Sequence, residues 1–474
     1  MDSYRIYGYL RRIGSMDKDT TWADYQTRKY YIREGKLLWI TRNGADHRAD
    51  SLLAFLKTVA DMGFSPRKFQ VQAIEDDLTH LHYLDVDTGR YEINKLIARL
   101  EYNLTKAYLR YVLGQRFGFI NPRYAFNRLD VYEADSTHTS FRGLYDIPME
   151  HAGRRFLMTA LRKISNDSVA QFLHEVQPPS PFYISMLHRL KLCNTETERM
   201  KLICNMERCR WRLYDYPQMH KKYILVNIPS FHLRAVDRDS VFEMKVGCGS
   251  FKTKTPLLTS RIMRMDLNPK WVMPRSIMKK TILQHAGDSA YFSNQRYFVR
   301  ERRSGRRIPI HYVTEAMLKS PAYSVVQEGG EGNALGRIIF RFNNNFSVFL
   351  HYTSSPGVFN RSYRGVSHGC IRVEKPLDLA VFLLKNKDER TIEKLSYSMT
   401  VDFGLRDNNG QDDEERRPPI DRSMLLGSLK VEPEVPLFIT YFTIYPDKDG
   451  RLKMYPDVYG YDRVIYDYFR NFME

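Results

Sequence analysis

Hydrophobic and polar positions follow two different patterns along the chain, which change over near residue 215. Before that point, apolar residues recur every three or four positions, the spacing that places side chains on one face of a helix. One such stripe runs from Leu52 to Met62 and is followed by Gly63, a residue typical of a helix end. A longer stripe runs from Ile93 to Val112, and Gly114 predicts its end. The segment Thr195–Glu198 fits a capping box and predicts the start of another helix.

Beyond residue 222 the pattern consists of short runs of β-branched and aromatic residues separated by polar turns, which predicts strands. The runs are Tyr223–Ile228, Phe231–Val236, Val241–Val246, Leu258–Met265, Arg337–Phe342 and Ser347–His351, with Val435–Tyr445 as an added strand. Short strands spaced in this way indicate a mostly antiparallel sheet or sandwich. The sequence therefore predicts an α+β protein, with a mainly helical domain over residues 1–215 and a β-rich domain over residues 216–474.

Two segments of the β-rich half do not read as strands. Residues 279–332 form a long connection that carries arginines around Gly305, namely Arg300, Arg302, Arg303, Arg306 and Arg307. A connection of this length is usually a functional flap or a mobile loop, and a solvated charged surface explains the arginines equally well. Residues 407–422 are rich in Asp, Glu, Asn and Pro, which predicts a flexible surface loop.

Size and charge narrow the classes of function. A chain of 474 residues exceeds the length at which single cores stop growing, which agrees with at least two domains. The 73 Lys and Arg residues outnumber the 55 Asp and Glu residues, and the net charge of +18 favours polyanions or carboxylate-rich substrates as partners. Nucleic acid is not expected among them, because no recognisable nucleic-acid-binding module accompanies the arginines.

The sequence predicts no membrane-spanning helix, because no apolar run approaches the roughly 20 residues that a span needs. Its first residues do not begin a signal-peptide pattern, so we expect either a cytosolic protein or a leader outside this numbering. The cysteines are Cys193, Cys204, Cys209, Cys248 and Cys370, an odd set without C-x-x-C spacing. Neither a disulfide framework nor a metal knuckle is predicted from them, and Cys204 and Cys209 are interpreted as small buried apolar residues.

The strongest candidate for chemistry is Cys370, which directly follows Ser367, His368 and Gly369. A thiol becomes a useful nucleophile when an imidazole lies within hydrogen-bond reach. Both His351 and His368 are candidates for that base, since strand pairing would bring His351 near, and an extended segment would turn His368 to the side of Cys370. Gly369 suits the close approach of a substrate to the backbone. We interpret the cluster as catalytic rather than as ordinary core.

Other polar residues have weaker assignments. Arg372 either binds a substrate carboxylate or braces the loop through a forked hydrogen bond. Asn333 precedes a predicted strand, where it either faces a peptide substrate or simply belongs to a glycine turn. A zinc site made from His351, His368 and Cys370 is the competing chemical interpretation, but no fourth ligand is evident. We therefore predict neither a metal nor a cofactor.

These residues resemble a known family. His351, the fifteen residues that follow it, and then Ser367-His368-Gly369-Cys370-Ile371-Arg372 resemble the signature of the L,D-transpeptidases, whose catalytic domain is of the YkuD type. Further segments resemble the large, scaffold-bearing (YcbB-like) branch, and these are Glu207–Trp211, Val226–Phe231, Met244–Gly249, Thr255-Pro256, Asn268–Pro274, Asn333–Gly336, Asp449–Arg451 and Asp457–Gly460.

The resemblance implies a helical scaffold, a β-rich catalytic domain, and a capping insertion at residues 279–332. It also implies that Cys370 is the nucleophile and His351 its base, that His368 shapes the loop or assists, and that the backbone N–H groups of Gly369 and Cys370 form the oxyanion hole. Ser367, Tyr352, Asn333 and Arg372 are the candidates for contacting the substrate. Because Tyr352 stands where many relatives have serine or aspartate, a backbone carbonyl is the candidate for orienting His351.

The resemblance further implies an activity and partners. The enzyme would release D-alanine from a donor tetrapeptide, hold the acyl group as a thioester, and form 3→3 cross-links between peptidoglycan stem peptides. Carbapenem-type β-lactams would acylate it, and it would work in the periplasm or cell envelope, with a loose membrane association if a leader exists. Residues 130–200 lack the glycine-rich pattern of the peptidoglycan-binding module that is common in this branch.

Two alternatives remain open at the level of sequence. The same thioester meeting water would give an L,D-carboxypeptidase, or a cysteine amidase that trims wall peptides. A non-catalytic protein could instead use its basic surface to hold peptidoglycan, in which case Cys370 would not be acylated.

Overall fold

The computed structural model describes residues 2–33, 35–89, 91–134, 139–401 and 420–473. The helices are α1 Ser3–Met16, α2 Trp22–Ile32, α3 His47–Leu56, α4 Val71–His82, α5 Ile93–Phe117, α6 Pro122–Phe126, α7 Arg154–Ser165, α8 Val169–Glu175, α9 Pro181–Leu192, α10 Glu196–Arg210, α11 Arg275–Thr281, α12 Ser289–Asn294, α13 Glu315–Lys319, α14 Pro376–Leu383, α15 Glu389–Thr400 and α16 Tyr461–Met473. The strands are β1 Ile40–Thr41, β2 Gly44–Ala45, β3 Val131–Ala134, β4 Thr139–Phe141, β5 Tyr145–Asp146, β6 Lys222–Asn227, β7 His232–Asp237, β8 Ser240–Gly249, β9 Leu257–Leu267, β10 Trp271–Val272, β11 Tyr297–Glu301, β12 Arg307–Ile308, β13 Tyr323–Gln327, β14 Ile338–Phe342, β15 Leu350–His351, β16 Gly365–Ser367, β17 Ile371–Val373, β18 Ser428–Thr440, β19 Ile444–Pro446 and β20 Leu452–Met454. The predicted α+β class, helical first and β-rich afterwards, is confirmed.

The chain forms two compact units. The helical unit comprises Met1–Arg142, Pro148–Tyr214 and Phe442–Glu474, and the barrel unit comprises Gly143–Ile147 and Asp215–Tyr441. The predicted domains, residues 1–215 and 216–474, stay a prediction in functional terms. The compact units differ from them at the C-terminal end, because residues 442–474 lie with the helices.

A buried ion pair fixes the last helix within the helical unit. Nη1 of Arg208 on α10 lies 2.7 Å from Oδ1 of Asp462 on α16, and both side chains are buried. The Thr443 hydroxyl donates to the other carboxylate oxygen of Asp462 at 2.5 Å. Phe469 of the same helix stacks on Phe64 with ring centroids 5.6 Å apart. These partners are distant in sequence, so the helical pattern of residues 461–473 alone does not reveal them.

Helix α5 is the buried centre of the helical unit, and an acidic residue on it organises a loop. The carboxylate of Glu101 accepts hydrogen bonds from the backbone N–H groups of Leu38, Trp39 and Ile40 at 2.5, 3.1 and 3.2 Å, and from the Tyr31 hydroxyl at 2.7 Å. Burial raises the pKa of Glu101 to about 6, although these hydrogen bonds oppose the shift.

The predicted helix signals have different outcomes. Thr195 caps α10 by accepting the Glu198 N–H at 3.3 Å, so that prediction is confirmed. Gly63 has the left-handed backbone of a helix end, as predicted, but it ends a 3₁₀ turn at Val59–Met62, because α3 itself ends at Leu56. The predicted end at Gly114 is wrong, because α5 continues to Phe117 and is followed by Gly118. Glycine is required at position 114 for packing instead, because a Cβ there would lie 2.2 Å from the ring of Phe119.

The main sheet of the barrel unit closes on itself. The strand order is β14-β15-β17-β8-β7-β6-β18-β9, and β9 pairs again with β14 through Phe340 and Met265. The predicted mostly antiparallel sheet is confirmed, with parallel pairs at β15–β17 and β6–β18, and with β5 and β16 added in parallel to β9 and β8. The predicted single strand over Val435–Tyr445 is wrong, because β18 ends at Thr440 and β19 begins at Ile444. Only the last two residues of the run Ser347–His351 form a strand, β15.

Residues 269–332, hereafter the insert, leave the barrel after β9 and return before β14. The insert has a sheet of its own in the order β10-β13-β11-β12, which begins at Trp271, upstream of the predicted start at residue 279. It also has its own apolar core, which includes Met273, Ile282, Phe292, Val299, Leu318 and Val325. The insert is therefore a folded body. The capping role predicted for residues 279–332 stays a prediction.

Of the arginines in the insert, Arg302, Arg303 and Arg306 are exposed on the hairpin between β11 and β12. The flexible loop predicted over residues 407–422 lies outside the described residues as far as residue 419, and residues 422–424 form a short 3₁₀ helix. Within the described part of the chain, no helix combines the length and the apolar character needed to cross a membrane.

Candidate active site

Strand pairing brings the candidate base next to Arg372. Strands β15 and β17 run parallel, with Leu350 opposite Ile371 and His351 opposite Arg372. Residues in register on adjacent strands point to the same face of a sheet, about 4.8 Å apart along the hydrogen-bonding direction. Cys370 immediately precedes β17, two residues before Arg372, and the charge of Arg372 influences both Cys370 and His351. These three residues therefore converge at one place in the barrel.

A backbone carbonyl orients His351. Its Nδ1 lies 3.3 Å from the carbonyl oxygen of Leu335, which can only accept, so Nδ1 carries the proton and Nε2 has the lone pair. The sequence predicted a carbonyl in this role without naming the residue. Leu335 is remote in sequence from His351, and the contact depends on how the turn before β14 folds.

The imidazole is neutral at ordinary pH. His351 is only 4% exposed. Burial, and then the positive charge of Arg372, lower its pKa to about 4, while hydrogen bonds to the carbonyls of Tyr352 and Leu335 partly oppose the shift. His351 can therefore accept a proton at its Nε2 across the whole neutral range.

The thiol of Cys370 is also in its neutral form. Burial raises its pKa to about 11, and a backbone hydrogen bond from Phe349 and the charge of Arg372 act in the opposite direction. The thiol is half-buried and free, and all five cysteines are free thiols in the structure. Burial raises the pKa of Cys209 and Cys248 to about 12.

The loop that carries Cys370 is held by hydroxyl groups. The Thr253 hydroxyl donates to the carbonyl of Ser367 at 2.7 Å, and the Thr255 hydroxyl donates to the carbonyl of Gly369 at 2.8 Å. Ser367 is buried, and its own hydroxyl donates to the carbonyl of Cys370 at 2.5 Å. Ser367, a predicted substrate contact, thus braces the loop from within. The sequence alone indicates no role for Thr253 or Thr255, although Thr255-Pro256 is one of the segments that carry the family resemblance.

Gly369 has a φ of 119°, a backbone conformation that side chains with Cβ rarely adopt. Its N–H donates to the Ser367 hydroxyl at 3.1 Å and is therefore engaged. Within the described residues the N–H of Cys370 has no such partner, so it is the backbone donor available to an oxyanion. The oxyanion role predicted for Gly369 requires the Ser367 contact to open.

His368 is exposed and lies in a bend at residues 368 and 369. The prediction that His368 lies on the same side as Cys370 is wrong in its premise, because the segment is not extended there and Gly369 turns the chain. The neutral, buried and oriented imidazole at this site belongs to His351. An assisting role for His368 stays a prediction.

Arg372 is half-buried, and within the described residues its buried Nε atom has no hydrogen-bond partner. Burial lowers the pKa of its guanidinium, and interaction with Cys370 opposes the shift. A buried N–H donor without a partner is costly, and an anionic ligand would satisfy it. This favours the carboxylate-binding alternative over the loop-bracing one.

The remaining two predicted contacts differ in accessibility. Tyr352 is half-buried and follows the candidate base on β15, while its N–H donates to the carbonyl of Ile338 at 3.1 Å. Asn333 is fully buried, and its amide bonds backbone groups only, so it offers no surface to a peptide. Among the described residues, no cluster of three or more His, Cys, Asp or Glu side chains could hold a metal ion.

Comparison with known proteins adds independent findings. Residues 221–392 match the YkuD family model, described as an L,D-transpeptidase catalytic domain, and residues 25–190 match a model described as a scaffold domain. A protein of Haemophilus influenzae named "Putative L,D-transpeptidase" is 26% identical over 310 residues. That match covers 64% of this chain and 58% of the relative, so the chain matches little more than half of the relative's length.

Proposed function

Because the chain belongs to the L,D-transpeptidases that carry a scaffold domain, we propose that it is an L,D-transpeptidase that joins peptidoglycan stem peptides through a thioester on Cys370. The observation that carries the proposal is the convergence of a thiol, a neutral imidazole and an unsatisfied guanidinium at one place, inside the segment that matches the catalytic domain. A donor tetrapeptide that ends in D-alanine and an acceptor stem with a side-chain amine are the proposed substrates.

In the proposed first step, Sγ of Cys370 attacks the carbonyl carbon of the third residue of the donor, and the bond from that carbon to the nitrogen of D-alanine breaks. The thiol proton passes to Nε2 of His351 and from there to the departing amine. The oxyanion that forms on the carbonyl oxygen is stabilised by the N–H of Cys370, and by that of Gly369 once it leaves Ser367.

In the proposed second step, the amine of the acceptor attacks the thioester, which frees the thiol and leaves a 3→3 amide bond. His351 now takes the proton of the attacking amine and returns it to sulfur. Arg372 is placed to hold a stem carboxylate near the reacting carbonyl, a role that its unsatisfied Nε supports.

The net charge of +18 is consistent with a carboxylate-rich polymer as substrate, and we infer that the protein works in the cell envelope, where that polymer lies. We also infer that the insert caps the site. Its folded core and its attachment directly before the turn that contacts His351 support this inference.

The test is intact-mass measurement of the protein after incubation with a donor tetrapeptide and, in a separate arm, with a carbapenem. We expect one adduct per chain, at Cys370, absent from Cys370→Ser and retained by Cys193→Ser, a matched thiol of the helical unit. His351→Gln should acylate about 10²- to 10⁴-fold more slowly, the usual contribution of a positioned base. An unmodified Cys370 in both arms would contradict the proposal and favour a non-catalytic binding protein.

Adding an acceptor stem separates the two enzymatic outcomes. We expect a cross-linked dimer to appear in place of the hydrolysed tripeptide. If tripeptide appears without dimer, the activity is that of a carboxypeptidase and not of a transpeptidase. The thioester mechanism would be unaffected.

A further inference from the structure

The amide of Asn333 connects both attachments of the insert to the turn that contacts His351. Its Nδ2 donates to the carbonyl of Pro269, where the insert begins, at 3.2 Å, and to the carbonyl of Glu328, where it ends, at 2.7 Å. Its Oδ1 accepts the N–H of Leu335 at 2.8 Å. The side chain is fully buried, so each polar atom of the amide has a partner and none faces solvent.

The third of these contacts leads directly to the candidate base. Leu335 donates its N–H to Oδ1 of Asn333, and its carbonyl accepts from Nδ1 of His351. The N–H of Gly336 closes the same turn on the carbonyl of Asn333 at 2.8 Å. A displacement of Asn333 therefore moves the carbonyl that accepts from Nδ1 of His351.

A second buried amide reinforces the link from the side of the insert. Gln327, the last residue of β13, accepts the N–H of Ala334 at 2.9 Å. Its Nε2 donates to the carbonyls of Gln295 and Gly332 at 3.0 and 3.2 Å. The turn before β14 is thus held by one amide from the insert's sheet and by another that bridges the insert's two attachments.

We propose that Asn333 is a positioning residue, which sets the orientation of His351 through the Leu335 carbonyl and couples that orientation to the placement of the insert. The proposal deepens the proposed function and rests on it for its catalytic meaning. Physically, the carbonyl holds Nε2 free for the thiol proton, and an amide that bonds the insert at both attachments transmits any movement of the insert to that carbonyl.

Two substitutions separate the two halves of this role. In Asn333→Ser the hydroxyl can still accept the N–H of Leu335, as short hydroxyl side chains do in turns, but it cannot reach the carbonyls of Pro269 and Glu328. Asn333→Ala loses the contact with Leu335 as well as those with Pro269 and Glu328. Asn205→Ala is the matched control, because Asn205 is an equally buried amide of the helical unit that bonds Lys201 and Thr443.

The first measurement is the ¹⁵N NMR signature of His351, assigned by comparison with His351→Gln, together with the rate of Cys370 alkylation by iodoacetamide against pH. We expect Asn333→Ala to lose the Nδ1–H signature and to alter the pH profile, and Asn333→Ser to restore most of both. Asn205→Ala should lower thermal stability without changing either readout. A folded Asn333→Ala protein with the parent signature and the parent pH profile would overturn the proposal.

Should Asn333→Ala fail to fold, Gln327→Ala provides the second variant. We expect it to shift the ¹⁵N NMR signature of His351 in the same way. An unchanged signature would count against coupling between His351 and the insert. The effect on catalysis is measured as the acylation rate of Asn333→Ala. We expect its kcat to be about 10- to 100-fold lower than that of the parent, with little change in KM, because a catalytic group is misplaced. The NMR and alkylation readouts need neither peptide nor β-lactam. If the parent is never acylated, the proposed function fails while the His351 response still decides the positioning claim.

Discussion

The protonation state of the candidate pair leads to a prediction that differs from that for a cysteine–histidine ion pair. With the pKa of Cys370 at about 11 and that of His351 at about 4, roughly one thiol in 10⁴ and one imidazole in 10³ is charged at pH 7. Moving a proton from sulfur to nitrogen before the substrate arrives crosses about 7 pKa units, or about 10 kcal/mol, less whatever the two new charges recover by attraction. The proton should therefore move in concert with the attack on the carbonyl.

The expected pH profile follows from the direction of these shifts. Acylation requires His351 to be unprotonated, so its rate should be level through neutral pH and fall only as the pH drops through about 4, below the ordinary histidine range near 6.5. Arg372→Gln removes the charge that disfavours protonation of His351, although burial, the larger cause, stays. The acid limb should therefore move upward part of the way toward 6.5, and the same change should raise the pKa of Cys370 further.

The assay is the second-order rate of β-lactam acylation, followed by intact mass between pH 3 and 10. Lys245→Gln, which removes a half-buried charge elsewhere in the barrel unit, serves as the control and should leave the profile unchanged. An acid limb near pH 6.5 in the parent protein, or an Arg372→Gln profile that coincides with the parent's, would refute the reasoning.

Three further predictions concern the framework. Glu101 binds a proton more tightly in the folded state, so its contribution to stability should grow by about 2 kcal/mol as the pH falls from about 6 to 4.5; urea unfolding of Glu101→Gln should lack that slope. Arg208→Ala leaves the Asp462 carboxylate buried without its cation and should cost about 3–5 kcal/mol in chemical unfolding, and a smaller loss would show that water reaches Asp462. Gly329→Ala places a Cβ 2.2 Å from the Asn268 carbonyl at the base of the insert and should lower the melting temperature, whereas Gly357→Ala, which meets no atom within 4 Å, should not.

The sequence predicted the local elements well where the signal is local. The capping box at Thr195 and the runs of β-branched and aromatic residues that form β6 and β7 depend on residues that are neighbours along the chain. The prediction at Gly114 is wrong because it depends on a packing contact: Gly114 leaves room for the ring of Phe119 and does not end α5. A glycine can indicate that a Cβ is not tolerated at that position. The sequence alone does not show whether the backbone conformation or a neighbouring side chain excludes the Cβ.

The candidate site was predictable in identity but not in electrostatics. Cys370 and His351 stand out by residue type and spacing, and strand pairing places His351 opposite Arg372, two residues after Cys370. Their pKa shifts arise mainly from burial, which depends on how the barrel closes between β9 and β14, and that long-range pairing has no local signature. For the same reason Asn333, an apparent substrate contact from its place before a strand, is buried beneath the insert's attachments.

The choice of a neutral carbonyl to orient the base has a consequence for how the site works. A carboxylate in place of the Leu335 carbonyl would stabilise an imidazolium and favour a preformed thiolate. Here the orienting group carries no full charge, while Arg372 adds a positive one, so the resting site holds its proton on sulfur. A thiol in that state is a poor nucleophile toward adventitious electrophiles. Under the proposed function, we therefore expect it to be activated only when a substrate carbonyl lies within reach and a carboxylate engages Arg372, which would reduce the repulsion that His351 meets on protonation.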